Sequence, residues 1–500
     1  MHIAAIRMGL TVFCQPRKET ASLGRLTGTS GKRATAQIIL SRNASLLRKE
    51  NLFAFPHGSF ALLLIVRWNL RRRVVVLGGG FSGLQAAIGL ERLLPREDDI
   101  LLVSEQNFLL FTPLLPQIAS SKINPRHIVQ TIRDIRGKRR FAFRRDTVVS
   151  IDLTARRVIS ASGIIDYDVL VIALGSRSEY FGISGARENT WDFKTLEDAV
   201  VLRDHVLDMC EHADHTTEEA ARRDLLRFVV VGGGYTGVEL ITELSDFFSQ
   251  YVAREYRGIR PGDVQLIVLE ATPDILCGIS PRLKAHALRR LKARGIEVRT
   301  SAKVTLCGED FVEINSGEII RSATIVWTAG VRVKALVENL PGPHDRVGRA
   351  VVSSALQLEG HPEVFVTGDS AAAATAPGAP LVAPVAIAQG GIAARNVAHF
   401  LRGEALESYT YKNQGMLVSL GMDYAVVSIG RLQFSGYFAW LFWNAVHLYK
   451  LVGLKKQLQV AMDWMLGTVF PRDASILRRP TRCKICEGAV GRGFQAQAGR

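Results

Sequence analysis

Runs of aliphatic and β-branched residues, each closed by glycine and followed by apolar positions at helical spacing, recur along this chain. Val74-Val-Val-Leu77 is apolar without alternation, the pattern of a strand buried on both faces. It runs into Gly78-Gly-Gly80-Phe-Ser-Gly83, and the pattern that follows predicts a helix to about residue 93. A second buried strand is expected at Ile100 to Ser104, ahead of a Pro-punctuated segment. Val169-Leu-Val-Ile-Ala-Leu-Gly175 reads as a strand ending in a small-residue turn, and Thr195 to Arg223 as a polar helical stretch. The whole order then repeats. Phe228-Val-Val-Val enters Gly232-Gly-Gly234-Tyr-Thr-Gly237, a helix extends through Phe247, Phe248 and Tyr251, and strands follow at Val264 to Leu269 and Thr324 to Gly330. Val364-Phe-Val-Thr-Gly-Asp369 is one more short buried strand. Two such units predict an α/β fold with two Rossmann-like dinucleotide-binding domains, a duplication at the level of the fold and not of a short repeat.

Further along, the pattern changes. Residues 370–394 carry no charge, but Pro377, Pro380 and Pro384 would break a membrane-spanning helix, so a loop leading into a helix is expected. On a helical projection Phe438, Leu441, Phe442, Ala445, Tyr449 and Val452 share one face, with Asn444, His447 and Lys450 opposite. Leu458, Ala461, Met462, Met465 and Val469 form a second stripe opposed by Lys456, Gln459 and Asp463. With Trp440, Trp443 and Trp464 these suit helices lying in a membrane interface; ordinary amphipathic core helices are the alternative. The uncharged run 432–449 just reaches the length of a span, but Gln433, Ser435, Asn444 and His447 argue against one.

Composition adds one exclusion. The net charge of +16 invites a nucleic-acid reading, yet thirteen Lys and Arg against Glu19 and Glu50 place +11 of it in residues 1–73. The body is only mildly basic, and no nucleic-acid partner is expected. Residues 1–70 are rich in Arg and Ser and poor in acids, like a transit peptide; a start codon assigned too early is the other reading. The six cysteines form no disulfide framework. Cys483 and Cys486 make a CxxC without a second pair or a nearby His, so no metal site is expected.

The chemistry lies at the glycine turns. Gly78 and Gly232 permit the tight turn, Gly80 and Gly234 let the backbone approach a pyrophosphate, and Gly83 and Gly237 allow close helix-to-strand packing, with the phosphates at a positive helix N-terminus. An acid should end the following strand to accept from the ribose hydroxyls, and Glu105 and Glu270 stand there. A Glu at 270 disfavours a 2′-phosphate, so NADH is preferred over NADPH. Glu239, at the start of the second glycine helix, is either a helix-dipole partner or a buried carboxylate near the reacting rings. Asp369 matters only if its strand returns to the first sheet.

The glycine units, Ala173-Leu-Gly175, Thr328-Ala329-Gly330 and Thr367-Gly-Asp369, in this order, resemble the two-dinucleotide-domain flavoproteins that hold FAD and NAD(P)H. Within them, Asn107-Phe-Leu-Leu-Phe-Thr-Pro-Leu-Leu-Pro116, Phe193-Lys-Thr-Leu-Glu-Asp-Ala199, Gly234-Tyr-Thr-Gly-Val-Glu-Leu240 and Gly436-Tyr-Phe-Ala-Trp-Leu-Phe-Trp-Asn-Ala-Val-His-Leu448 resemble type II NADH:quinone oxidoreductases, single-subunit dehydrogenases that do not pump protons. The resemblance implies FAD at Gly78, Gly80, Phe81, Ser82, Gly83, Glu105, Thr112, Ala173, Gly175 and Asp369. It implies NADH at Gly232, Gly234, Gly237, Glu270, Ala329 and Gly330, and catalytic roles for Glu239 and Gln389. The sequence departs from the family at Pro384-Val385, where an Ala-Gln pair is usual, and at Ala119-Ser-Ser-Lys122.

The expected organisation is an extension at 1–70, an FAD domain from 71–190 and 340–405, an NAD domain at 191–339, a membrane-association region at 406–470 and a tail at 471–500. The implied partners are a membrane quinone, a membrane surface met by the C-terminal helices, and a second copy of the chain as a homodimer. The implied location is peripheral, on the cytoplasmic face of a bacterial inner membrane, or on the mitochondrial inner membrane if the extension is a transit peptide. Sulfide:quinone oxidoreductases and disulfide reductases need flavin-adjacent cysteines, which are missing after the first glycine helix and around Asp369. A slow flavoprotein redox sensor stays open at this level.

Overall fold

The computed structural model describes residues 71–476; the extension at 1–70, Cys483 and Cys486 lie outside the described residues. The first sheet has eight strands, ordered in space Ala371–Ala373, Ala350–Val352, Gln357–Leu358, His361–Val366, Val169–Ile172, Arg73–Leu77, Asp99–Ser104 and Ala142–Arg145. The run from His361–Val366 to Ala142–Arg145 is parallel throughout. Val74 to Leu77 and Val169 to Ile172 are fully buried, as their unbroken apolar pattern requires of strands covered on both faces.

The second sheet repeats the plan with five parallel strands, Trp191–Asp192, Thr324–Trp327, Arg227–Val231, Gln265–Leu269 and Ile296–Arg299. The duplication extends beyond the glycine units. In each half a three-stranded antiparallel meander precedes the closing strand: Val148–Asp152, Arg157–Ser160 and Gly163–Asp166 in the first, Val304–Cys307, Phe311–Ile314 and Ile319–Arg321 in the second. The strand His361–Val366 does return to the first sheet, setting Val364 beside Leu170 and Val366 beside Ile172. The chain thus completes its first domain only after building all of the second.

Several elements differ from the sequence expectation. The stretch from Thr195 to Arg223 is two helices, Leu196–His215 and Glu219–Leu225, because Thr216 turns to an extended conformation and its hydroxyl caps the His212 carbonyl. The second glycine helix, Tyr235–Phe247, continues through a π-helical turn at Phe248–Val252 into Ala253–Glu255, which takes up the long spacing to Glu270. The uncharged stretch after Asp369 leads into the helix Ala383–Arg402, with Pro384 in its first turn, where a missing N–H costs nothing. That helix lies against the first glycine helix, Phe81–Leu93, through small residues: a Cβ on Gly390 would sit 2.2 Å from the Ser82 carbonyl oxygen.

Between that helix and the C-terminal pair stands a three-stranded antiparallel sheet, Met416–Ser419, Ala425–Ile429 and Leu432–Gly436, which the sequence reading did not anticipate. It divides the uncharged run 432–449 at Gly436, whose φ of 100° ends the strand and starts the helix Tyr437–Lys450. Among the described residues no helix is long and apolar enough to cross a membrane.

The two C-terminal helices are amphipathic in the reverse of the usual sense. Phe438 (78% exposed), Leu441, Phe442 and Tyr449 (84%) point outward from the first, and Leu454, Leu458, Met462 and Met465 from Leu454–Leu466, with Val469 just beyond. The polar residues of the second face inward: Lys456 Nζ donates to the Arg126 carbonyl, Asp463 accepts from the Asn124 N–H and pairs with His127, and Trp464 Nε1 donates to Gln117 Oε1 at 2.8 Å. His447, expected opposite the apolar stripe, does stand on the opposite face, and that face packs inward. Positions 439, 443 and 447 share one helical face, and it is this face, with Ala439 and Trp443 buried, that meets the core.

Candidate active site

The two glycine loops are near copies in their sterics. A Cβ on Gly78, at φ 106°, would lie 2.0 Å from the Ala173 carbonyl oxygen, and one on Gly83 1.9 Å from that of Gly78. In the second loop Gly232, at φ 114°, faces the Ala329 backbone at 2.9 Å, and a Cβ on Gly237 would lie 2.0 Å from the Gly232 oxygen. The fold itself therefore demands the first and third glycines. The middle ones differ: a Cβ on Gly80 or Gly234 would meet nothing within 4 Å. Each is the N-cap of its helix, with no side-chain cap and no acid in the first turn. The first-turn N–H groups are left to an outside acceptor at the positive end of the helix dipole, beside a concavity that any side chain would fill. Both loops fit a dinucleotide pyrophosphate.

Around the first loop several predicted residues converge. Ala173 is buried and packs its methyl against Gly83; Gly175, at φ 74°, donates its N–H to Ser370 Oγ. Ser82 is buried and its hydroxyl donates to Thr367 Oγ1 at 2.8 Å, joining the glycine helix to the Gly-Asp turn. Asp369 Oδ2 accepts from Ser176 Oγ at 2.6 Å, and Ser176 in turn receives Lys194 Nζ at 2.9 Å. Burial pushes the Lys194 ammonium down, with Asp369 and Asp192 opposing. Lys194 was not singled out from sequence, although it lies in the Phe193 to Ala199 segment that carries the family resemblance. Gln389 is wholly buried, and its carbonyl oxygen accepts the Gly368 N–H at 2.7 Å, so it acts on the turn that carries Asp369. Glu105 ends its strand exposed, paired with Lys334 at 2.9 Å, and Thr112 is exposed in a short 3₁₀ turn.

In the second unit Glu270 clasps the loop. One carboxylate oxygen accepts the Gly233 N–H at 2.7 Å, and the other accepts both the N–H and the hydroxyl of Thr272 at 2.8 Å. Ala329 and Gly330 form the facing turn, fixed by Trp327 Nε1 on the Ala329 carbonyl.

A chain of rings leads away from the first loop. Phe81 meets Phe111 edge-on at 6.3 Å, Phe111 meets His447 at 6.2 Å, and His447 stacks on Trp443 at 4.0 Å. His447 Nδ1 lies 2.7 Å from the Trp443 carbonyl, which can only accept, so Nδ1 carries the proton; burial pushes the imidazole down to about 4, and it is neutral. At the end of the chain stands Glu239. Its Oε1 accepts the Ser419 N–H at 2.8 Å, and the buried Trp443 indole N–H lies near enough to favour its charged form without a well-formed hydrogen bond. Burial, followed by the charge of Glu243, outweighs both and pushes Glu239 up to about 8. Glu239 therefore sits where the second glycine helix, the small C-terminal sheet and the first C-terminal helix meet.

Two open nucleotide cradles in one chain, with a half-buried, protonatable carboxylate where the second cradle's helix meets a third structural unit, define a pyridine-nucleotide flavoprotein reductase. Residues 72–390 match the pyridine nucleotide-disulphide oxidoreductase family, and residues 413–473 match the NDH2 C-terminal domain. The type II NADH:quinone oxidoreductase NdhA of Mycobacterium tuberculosis is 35% identical over 412 residues, covering 79% of this chain and 86% of that protein. A probable NADH dehydrogenase of Dictyostelium discoideum is 31% identical over 81% of this chain and 91% of its own length. The fold matches the structure of NDH2 from Plasmodium falciparum in complex with NADH, with a TM-score of 0.74 at 17% identity, over 81% of this chain and 100% of that one. The chain belongs to the type II NADH:quinone oxidoreductase family.

Proposed function

We propose that the protein oxidises NADH through FAD and reduces a membrane quinone, without pumping protons, from a position on the membrane surface. FAD, when bound, accepts hydride from NADH and gives two electrons to quinone; the chain orients the partners and supplies protons. Gly78, Gly80 and Gly83 with the Asp369 turn hold the FAD pyrophosphate and ribityl chain, and Ser82 and Gln389 keep that turn in register. Gly232, Gly234 and Gly237 hold the pyrophosphate of NADH, and Glu270 receives its ribose. The observation that carries this reading is the pair of cradles, each with its middle glycine open, in one body. Anaerobic stopped-flow spectroscopy tests it: NADH should bleach the flavin absorbance and a soluble quinone should restore it. Bleaching without restoration would leave a slow redox sensor as the better account.

Glu270 clasps its own loop as well as facing the ribose, which sharpens the expected specificity change. Glu270→Gln keeps a carbonyl acceptor and removes the charge that repels a 2′-phosphate, so the ratio of kcat/KM for NADH over NADPH should fall by about tenfold, the equivalent of roughly 1.4 kcal/mol. An unchanged ratio would assign the preference to another residue.

The outward apolar face of the C-terminal helices supports membrane attachment. Phe438, Leu441, Tyr449, Leu458, Met462 and Val469 are all exposed, and large apolar side chains in such number are costly in water and suit burial at the headgroup boundary. Phe438→Ser, Tyr449→Ser and Leu458→Ser together should move the enzyme from the membrane to the soluble fraction of a lysate, while the inward Trp443 and Lys456 contacts keep the helices docked. High salt should release the unaltered enzyme poorly. Full-length protein recovered in the soluble fraction would overturn this attachment.

A further inference from the structure

The second glycine helix carries three carboxylates on one face, Glu239, Glu243 and Asp246, spaced four and three residues apart. At 1.5 Å rise per residue they lie about 6 Å and 4.5 Å apart along the axis. Glu243 and Asp246 are almost fully buried. Glu243 is held by Ser120 Oγ and Lys122 Nζ, each at 3.2 Å. These are the residues of the Ala119-Ser-Ser-Lys122 segment in which the chain departs from its family, so the departure supplies the partners of the middle carboxylate. Asp246 pairs with Arg294 and accepts the Met422 N–H at 2.6 Å.

Asp246 also lines a cavity of about 350 Å³ that opens to the surface, of mixed polar and apolar lining, with Ser249, Gln250, Arg290, Arg294, Met422 and Asp423 among its walls. Arg290 and Arg294, which line it, each keep a buried Nε without a protein partner. Arg472 closes the other flank, donating to the Ser120 carbonyl and to Gln250 Oε1. The charged groups facing the row are thus Lys122, Arg290, Arg294, Arg472 and Asp423. Burial and the adjacent Glu243 hold Asp246 above the ordinary carboxylate range, Arg294 and Lys122 opposing.

Resting on the function proposed above, we infer that Asp246 and Glu243 relay protons from the solvent-filled cavity to Glu239 for quinone reduction. The balance requires such a supply. A quinone becomes a quinol by gaining two electrons and two protons; hydride from NADH brings two electrons and one proton, and the second proton comes from solvent. Glu239 gives its proton as an O–H bond forms on the quinone oxygen. It is reprotonated from Glu243, Glu243 from Asp246, and Asp246 from water in the cavity, each gap crossed by a side-chain swing or one bridging water. Asp246 and Glu243 are positioning residues acting through Glu239.

The test times the two half-reactions of the FAD-loaded enzyme separately across pH 6 to 9. Asp246→Asn should slow reoxidation of the flavin by a soluble quinone at least tenfold more than its reduction by NADH, with the gap widening as pH rises. Asp246→Glu should restore most of the rate, and millimolar imidazole or formate, small enough to enter the cavity, should partly rescue Asp246→Asn. Because loss of the Arg294 pair could destabilise that variant, Ser249→Phe provides a second route: it obstructs the cavity mouth, leaves every carboxylate in place, and should show the same selective loss. Equal slowing of both half-reactions, or a quinone step within twofold of the unaltered enzyme in both Asp246→Asn and Ser249→Phe at every pH, would overturn the relay alone. Absence of quinone-driven reoxidation in the unaltered enzyme would overturn the proposed function and the relay with it.

Discussion

Gly80→Val is expected to give a folded, colourless protein. The residue sits at φ −76°, ψ −169°, an extended conformation open to valine, and nothing in the protein lies within 4 Å of the new Cβ. The branched side chain is accommodated by the fold and occupies the space where a pyrophosphate meets the backbone. Flavin retention should fall from near-stoichiometric to almost nothing, read as the ratio of flavin to protein absorbance after purification. Circular dichroism should remain native, with a lower Tm because bound-nucleotide stabilisation is gone. Gly83→Val is the contrasting control: its Cβ would meet a backbone oxygen at 1.9 Å, and it should fail to fold. Gly234→Val should purify yellow yet bleach with NADH only at concentrations at least a hundredfold higher. A yellow, fully loaded Gly80→Val protein would remove the first loop as the flavin site.

Glu239→Gln should separate the two halves of the reaction most sharply. With its carboxyl pushed up to about 8, Glu239 is largely protonated at neutral pH and can donate to a quinone; Gln preserves the acceptor for Ser419 N–H but has no proton to give. Flavin reoxidation by quinone should slow by about 10²-fold or more, the usual scale for a general acid, and flavin reduction by NADH far less. In the unaltered enzyme the quinone step should decline as pH rises through about 8, and the variant should lose that dependence. Stability moves in step. Between the ordinary carboxylate range and about pH 8 the folded state holds a proton that the unfolded chain has released, so stability falls as pH rises. The Tm of Glu239→Gln relative to the unaltered protein should therefore increase across that window and level off above it. Parallel Tm curves would mean the carboxylate ionises normally.

How legible this was from the chain depends on where the physics is local. Unbroken apolar runs entering glycine turns expose both sheets and both cradles, since strand, turn and helix are set by adjacent residues. The role of Asp369 was conditional from sequence and was decided by the pairing of Val364 with Leu170, almost two hundred residues away along the chain. The helical stripes at 437–469 were readable, and His447 stands opposite the apolar one as expected, although a projection alone cannot tell which side faces the protein. The sheet at 416–436 was missed because its strands are short and separated only by tight turns. Lys194, Glu243 and Asp246 lie outside the expected site for different reasons. Lys194 acquires its partners from Ser176 and Asp369, which only the fold brings near it. Glu243 and Asp246 did carry a local signal, a carboxylate row at four- and three-residue spacing from Glu239 on a helix already expected.

The late return of His361–Val366 has a consequence for biosynthesis. When Val169–Ile172 leaves the ribosome only one of its two neighbours in the sheet, Arg73–Leu77, has been made, and the domain that precedes the other, His361–Val366, takes on the order of 10–40 s to synthesise at roughly 5–20 residues per second. Through that interval the nascent first domain presents one unpaired, wholly apolar strand edge and lacks the turn bearing Asp369, to which the proposed function assigns part of the flavin site. The second domain, whose strands all lie within one contiguous stretch, can close first and bind its nucleotide early. Expression at lower temperature, or with chaperones that shield strand edges, should therefore raise the yield of flavin-loaded enzyme more than added riboflavin does.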